Sequence, residues 1–120
     1  MKKILTVDDS ASMRAMVAFT LKAQGFDVTE AVHGQEGLDK ATASTFDLII
    51  SDVNMPVMDG IEFITNVRKL EAYRFTPILM LTTESGLDKK QEGKSAGATG
   101  WIVKPFDPQK LVAVVNKVLK

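Results

Sequence analysis

The chain has no cysteine. That excludes a disulfide framework, a thiolate metal site and a cysteine nucleophile. It has one histidine, His33, so a metal centre built from several histidines is excluded too. Net charge is also missing: 15 Lys+Arg balance 15 Asp+Glu. Bulk charge therefore gives no hold on nucleic acid or a membrane surface. No apolar run approaches the roughly 20 residues of a membrane span. The start, Met1-Lys2-Lys3, leads too soon to Asp8 for a secretory signal. Repeats, low-complexity tracts and long linkers are absent. At 120 residues, 45% hydrophobic and 25% charged, the expectation is one cytoplasmic globular domain over 1–120, able to bury a core without staples.

What is present alternates between short β-like runs and helical periodicity. Ile4–Val7, Phe26–Ala31, Phe46–Ser51, Pro77–Leu81 and Gly100–Val103 read as strands. The second of these alternates apolar and polar residues and is expected to be less buried. The third is a continuous apolar run, as burial on both faces requires. Met13, Met16, Val17 and Leu21 have the spacing of one helix face, and Gly25 ends that helix. Gly34–Ala43 reads as a second helix, with Leu38 and Ala41 inward. His33 at its start suits a solvated or capping role. Asp59 caps a third helix, with Glu62 three residues on and Ile61, Ile64 and Val67 as the inner stripe. Met55 and Met58, flanking Pro56, read as packing residues. Asp107 caps and Pro108 opens the last helix, striped by Leu111, Val114, Val115 and Val118. Gly86–Ala96 is the weakest helix: Leu87 and Ala96 are its apolar residues and Gly93 interrupts it. Little core holds such a segment, and mobility is expected there. Strands alternating with helices imply a parallel sheet covered on both faces.

In such a sheet ligands bind at the carboxyl ends of the strands. Asp8 and Asp9 end the first run, Asp52 the third, Thr82 the fourth, and Lys104 the fifth. Acids alone would repel one another. Acids with a hydroxyl and a lysine form a place to hold Mg2+ and a phosphoryl group. Each residue also has a plainer reading. Asp52 could cap a helix, Asp9 could cap the first helix (as could Ser10 or Ser12), and Lys104 could be a solvated lysine.

Four segments in order then carry a resemblance: Val7-Asp8-Asp9-Ser10, Ser51 to Gly60, Leu81-Thr82-Thr83-Glu84 and Val103-Lys104-Pro105-Phe106. End to end, the chain resembles the receiver domain of two-component response regulators, in the stand-alone form of the CheY-like chemotaxis proteins. The resemblance implies a flavodoxin-like doubly wound (βα)5 three-layer α/β sandwich. Its parallel five-stranded sheet would have the order 2-1-3-4-5, the family's own order and not one read from periodicity. It implies that Asp52 accepts a phosphoryl group from a histidine kinase, forming an aspartyl phosphate. Asp8, Asp9, Asp52 and the backbone carbonyl of Asn54 would hold Mg2+, with Asp9 a direct ligand and Asp8 acting through water. Lys104 would pair with the phosphoryl group, after a cis bond to Pro105. Thr82 would be the switch hydroxyl and Trp101 the switch aromatic, a larger ring than the family's usual tyrosine; its plainer reading is a half-buried structural aromatic. Asn54 and Glu84 would tune the phosphoryl lifetime, so a bulky apolar residue at either is expected to lengthen it.

On this reading the protein is a phosphoacceptor and not an enzyme in the ordinary sense, although it assists its own Mg2+-dependent phosphorylation and dephosphorylation. No effector domain is expected, so output comes from a partner. The face of the weak helix, strand five and the last helix would meet the flagellar motor switch and a docking domain of a CheA-like kinase. A phosphatase is a further partner of this class. Ser10, Leu87 and Lys90 differ in character from the well-known enteric members, and Val112 and Ala113 offer a surface for pairing two receivers. A phosphate sink or phosphorelay intermediate would use the same site. A haloacid-dehalogenase-like phosphatase is disfavoured because residue 10 is Ser and not the second acid of an Asp-x-Asp pair. An FMN binder is disfavoured because Asp8-Asp9 repels phosphate, and a pseudo-receiver because every chemical position is filled.

Overall fold

Five short apolar runs become five parallel strands in the computed structural model, which describes residues 2–53, 55–82, 87–104 and 107–119, with backbone alone for 87–90. Strands and α-helices alternate, with one 3-10 turn between α3 and β4: β1 (Lys3–Val7), α1 (Ala11–Ala23), β2 (Asp27–Ala31), α2 (Gly34–Ala43), β3 (Leu48–Asp52), α3 (Gly60–Arg68), the 3-10 turn (Glu71–Tyr73), β4 (Ile78–Thr82), α4 (Leu87–Ala96), β5 (Gly100–Val103) and α5 (Pro108–Val118). The sheet order is β2-β1-β3-β4-β5, so the flavodoxin-like doubly wound α/β expectation is met. Ladders such as Val7↔Ser51 and Asp52↔Leu81 set the strand ends level. β3 and β4 each run one residue further than their periodicity indicated, so Asp52 and Thr82 are the last ladder residues and not the first loop residues.

Side chains alternate across each strand, and two cores result. Leu5, Val7, Ile49, Ile78 and Met80 pack with Phe63, Ile64 and Val67 of α3 on one face. Ile4, Leu48, Ile50, Leu79 and Leu81 pack with Val17 and Leu21 of α1 and Leu111 and Val115 of α5 on the other. Ile61, assigned to the inner stripe of α3, is half-buried at the edge of its core, while Phe63 is fully buried. Similarly, Val112 is half-buried and Ala113 exposed.

Helix starts follow the expected chemistry. Ser10 Oγ, His33 Nδ1, Asp59 Oδ1 and Asp107 Oδ1 each accept a backbone N–H three residues on. His33 is therefore a cap, and Met58 is buried, as the sequence indicated. The ends are set by conformation. Gly25 and Gly97 lie at φ +92° and +113°, and Gly97 closes α4 in a Schellman arrangement, with Ala98 N–H reaching Gly93 O and Gly97 N–H reaching Lys94 O. Arg68 at the end of α3 adds a clamp. Its Nε and Nη2 donate to Gly97 O at 2.9 and 2.8 Å and its Nη1 to Tyr73 O at 2.6 Å. Tyr73, absent from the sequence reading, ties three segments: its hydroxyl accepts from Phe46 N–H and faces the carbonyls of Ala41 and Ser44.

Candidate functional site: an acidic cluster with a bridging lysine

The carboxyl ends of β1, β3, β4 and β5 follow one another along the same rim of the sheet, so their terminal polar residues meet without any long-range loop. Asp8, Asp9 and Asp52 each place a carboxylate oxygen within 4.8 Å of the others. Lys104, the residue after β5, sends its ammonium between two of them, 3.1 Å from Asp52 Oδ1 and 3.4 Å from Asp8 Oδ2. Its own backbone N–H donates to Thr82 O at 2.7 Å, which locks the lysine stem to the end of β4. Asp8 and Thr82 are buried, and Asp52 is 8% exposed. Asp9 is exposed and gives the cluster its open side.

Asp52 is held on one oxygen. Oδ1 accepts from Val53 N–H at 2.9 Å as well as from Lys104, while Oδ2 accepts nothing among the described residues. Burial, and then the Asp8 carboxylate, push the Asp52 carboxyl above its ordinary value; the Lys104 ammonium and the Val53 N–H pull it down but do not prevail. The loop after Asp52 turns sharply. Gly60 N–H donates to Val53 O at 2.8 Å, and a Cβ on Gly60 would sit 2.1 Å from Asp52 O. Only glycine allows α3 to begin that close to the phosphoacceptor candidate.

Asp8 is fixed on four sides. Its N–H donates to Ala31 O at 3.1 Å, and Oδ1 accepts from Ser10 N–H at 2.9 Å. Oδ2 meets Lys104, and its carbonyl accepts from Arg14 Nη1 at 2.8 Å. Arg14 is the functional neighbour that the sequence reading missed. It lies one helical turn into α1 and also donates from Nε to Glu30 Oε1 at 3.2 Å. The available signal was an acid, Glu30, at the end of an otherwise half-apolar strand.

Trp101 and Thr82 lie on the α4 side of the sheet. Met80 pairs with Trp101 and Thr82 with Val103, so Met80, Thr82, Trp101 and Val103 share one face. Trp101 is 37% exposed. Asn54, Glu84 and the Lys104–Pro105 bond lie outside the described residues, as do Gly86, where the weakest helix was expected to begin, and the side chains of Leu87 and Lys90.

Three carboxylates against one ammonium leave the cluster a net charge of minus two when all are ionised. An oxygen-only donor set of that charge fits a hard divalent cation such as Mg2+. A model for the response regulator receiver domain matches residues 4–116. The chain belongs to that family. Among curated receivers, the chemotaxis protein CheY1 of Helicobacter pylori is 40% identical over 119 residues, spanning 98% of this chain and 96% of its own. The transcriptional regulatory protein PrrA of Mycobacterium tuberculosis is 37% identical over 98% of this chain but only 50% of its own length. Among solved receivers, chemotaxis response regulator CheY4 of Vibrio cholerae is 57% identical, covers 99% of both chains and superposes with a TM-score of 0.96. This is a receiver of the CheY type, the class used in two-component signalling.

Proposed function

We propose that this receiver takes a phosphoryl group from a histidine kinase onto Asp52 and signals by binding a partner in chemotaxis. The observation that carries the reading is the Lys104 ammonium seated between Asp8 and Asp52 at the mouth of a three-carboxylate cluster. A carboxylate at the end of a central strand is a competent nucleophile at phosphorus. With Oδ1 engaged by Val53 N–H and Lys104, Oδ2 is the oxygen left to attack. A P–O bond forms to Asp52 as the P–N bond to the donor imidazole breaks, and its electron pair returns to that nitrogen, which takes up a proton. Asp9, Asp52 and the carbonyl of Asn54 are assigned to Mg2+, with Asp8 reaching it through water. When bound, Mg2+ neutralises charge on the transferring oxygens. Lys104 follows the phosphoryl group as a point charge on a flexible stem.

Thr82, at the end of β4, is assigned the switch hydroxyl, and Trp101 the aromatic that responds on the same face. Phosphorylation shifts a population between two packings of that face. Asn54 and Glu84 are assigned to lifetime tuning. The flagellar motor switch is the proposed partner, supported by the chemotaxis names of the similar full-length proteins. A CheA-like kinase is the proposed donor, and the chain is proposed to work as a single cytoplasmic receiver domain over 1–120.

The test is Trp101 fluorescence titrated with Mg2+ and then beryllofluoride, in wild type and Asp52→Asn. The expected result is a Mg2+-dependent change that Asp52→Asn abolishes. A wild type that binds neither Mg2+ nor beryllofluoride, checked by calorimetry, would overturn the reading. A motor-switch pull-down with beryllofluoride-loaded protein separates motor output from a phosphate sink.

A further inference from the structure

Asp9 has an unusual position for a metal ligand. Its side chain is exposed, and it makes no hydrogen bond or ion pair among the described residues. Nothing attached to the carboxylate itself sets its direction. Its aim is set by the backbone, through the peptide that joins it to Asp8. The carbonyl of that peptide is the one held by Arg14 Nη1 at 2.8 Å. A peptide unit is planar, so holding Asp8 O also holds the Asp9 N–H and the Asp9 Cα from which its side chain leaves. The opposite end of the Asp8 residue is pinned by Asp8 N–H to Ala31 O.

Arg14 is in turn held by β2. Its Nε meets Glu30 Oε1 at 3.2 Å, and the Glu30 carbonyl accepts from Lys40 Nζ of α2 at 2.5 Å. A guanidinium holds its donors in a rigid planar fork and so fixes the carboxylate and the carbonyl in set directions, where a lysine offers a single point charge on a flexible stem. The chain from α2 through Glu30 and Arg14 to the Asp8–Asp9 peptide is continuous.

We infer that Arg14 is a positioning residue for the metal ligand Asp9, presetting the Asp8–Asp9 peptide for Mg2+, with Glu30 orienting Arg14. The inference rests on Mg2+ binding as proposed above. Groups one shell beyond the ligands commonly govern metal affinity by 10–100-fold. The role has a sign that separates it from simple charge. Arg14 is a cation close to a cation site, so by Coulomb's law alone its removal would tighten Mg2+ binding. Positioning demands the reverse.

The experiment is isothermal calorimetry of Mg2+ binding to wild type, Arg14→Met, Arg14→Lys and Glu30→Ala. Urea unfolding in Mg2+-free buffer checks the fold, and amide exchange at Asp9 reads the peptide without metal. Arg14→Met and Arg14→Lys are both expected to weaken Mg2+ on the order of tenfold and to speed Asp9 exchange. Glu30→Ala is expected to weaken it less. Tighter binding in Arg14→Met with Arg14→Lys unchanged means the residue acts through charge, and overturns the inference. Unchanged affinity in folded variants also overturns it while leaving the proposed function intact. Absence of Mg2+ binding in wild type overturns both. Should Arg14→Met fail to fold, Arg14→Lys carries the same decision.

Discussion

At the scale of single residues, the sharpest conflict is at Asp52. Burial and Asp8 raise its carboxyl pKa in the native state, and the unfolded chain releases them both. Between the ordinary carboxylate value and the raised one, the native state keeps a proton that the unfolded state has lost. Stability therefore falls as pH rises through that window and stays lower above it. Asp52→Asn removes the penalty. In Mg2+-free buffer it is expected to be more stable than wild type at neutral pH, with the advantage shrinking as pH drops towards the ordinary carboxylate range. Urea unfolding at several pH values reads this, and a variant less stable at neutral pH would contradict it. A strained backbone position lies in the loop that follows Asp52. Val57, a β-branched residue, has φ +70° and is 76% exposed. The left-handed region costs an L-residue about 1–2 kcal/mol, and little packing offsets it here. Val57→Asn is expected to raise unfolding free energy by about 1 kcal/mol, checked by the urea midpoint. The capping roles at Ser10, Asp59 and Asp107 were legible because a cap depends on neighbours three residues away. Val57 was not: it is the centre of a three-residue turn closed by Met58 N–H donating to Pro56 O at 2.7 Å, a rare conformation that no residue pattern signals.

At the scale of elements, α4 differs from the rest. Its described side chains contribute little to either core beyond Gly93, packed on Met80, and the partly buried Ala96. Its C-terminal end is held instead by polar means, the Schellman turn at Gly97 and the Arg68 fork on Gly97 O. Burial lowers the Arg68 pKa, and the guanidinium offsets that loss through three bonds to carbonyls. Gly97→Ala meets two obstacles, φ +113° and Arg68 Cγ 2.8 Å from the new Cβ. It is expected to destabilise by about 1–3 kcal/mol and to increase amide exchange in α4 more than in α1. Uniform exchange across both helices would show that α4 is not held from this end. The sparse apolar content of α4 was visible in the sequence. Arg68 was not, because its partner lies 29 residues away.

At the scale of the whole molecule, the parallel sheet brings three acids from two strand ends against one another with a single lysine between them. A divalent cation that binds only this native arrangement stabilises the fold by mass action. At ten times its dissociation constant, Mg2+ is expected to add about 1.4 kcal/mol. Thermal unfolding with and without Mg2+ measures the increment, and Asp9→Asn is expected to lose most of it. An equal increment in that variant would mean the cation binds elsewhere. The site lies open on a rim through Asp9, as the proposed transfer of a phosphoryl group from another protein to Asp52 requires. Phe19 on α1, 77% exposed, is the largest apolar side chain on the helix that starts at this rim.

The sequence by itself determined the five strands, the helix caps and the acids and lysine at the strand ends. Each follows from local periodicity or from neighbours a turn away. It also carried the family resemblance through four short motifs. The tertiary structure decided which oxygen of Asp52 is engaged, that Lys104 bridges two acids, and that Arg14, Arg68 and Tyr73 tie distant segments. Those are contacts between residues far apart in the chain, and the strand order and register that bring them together arise only when both faces of the sheet are buried at once.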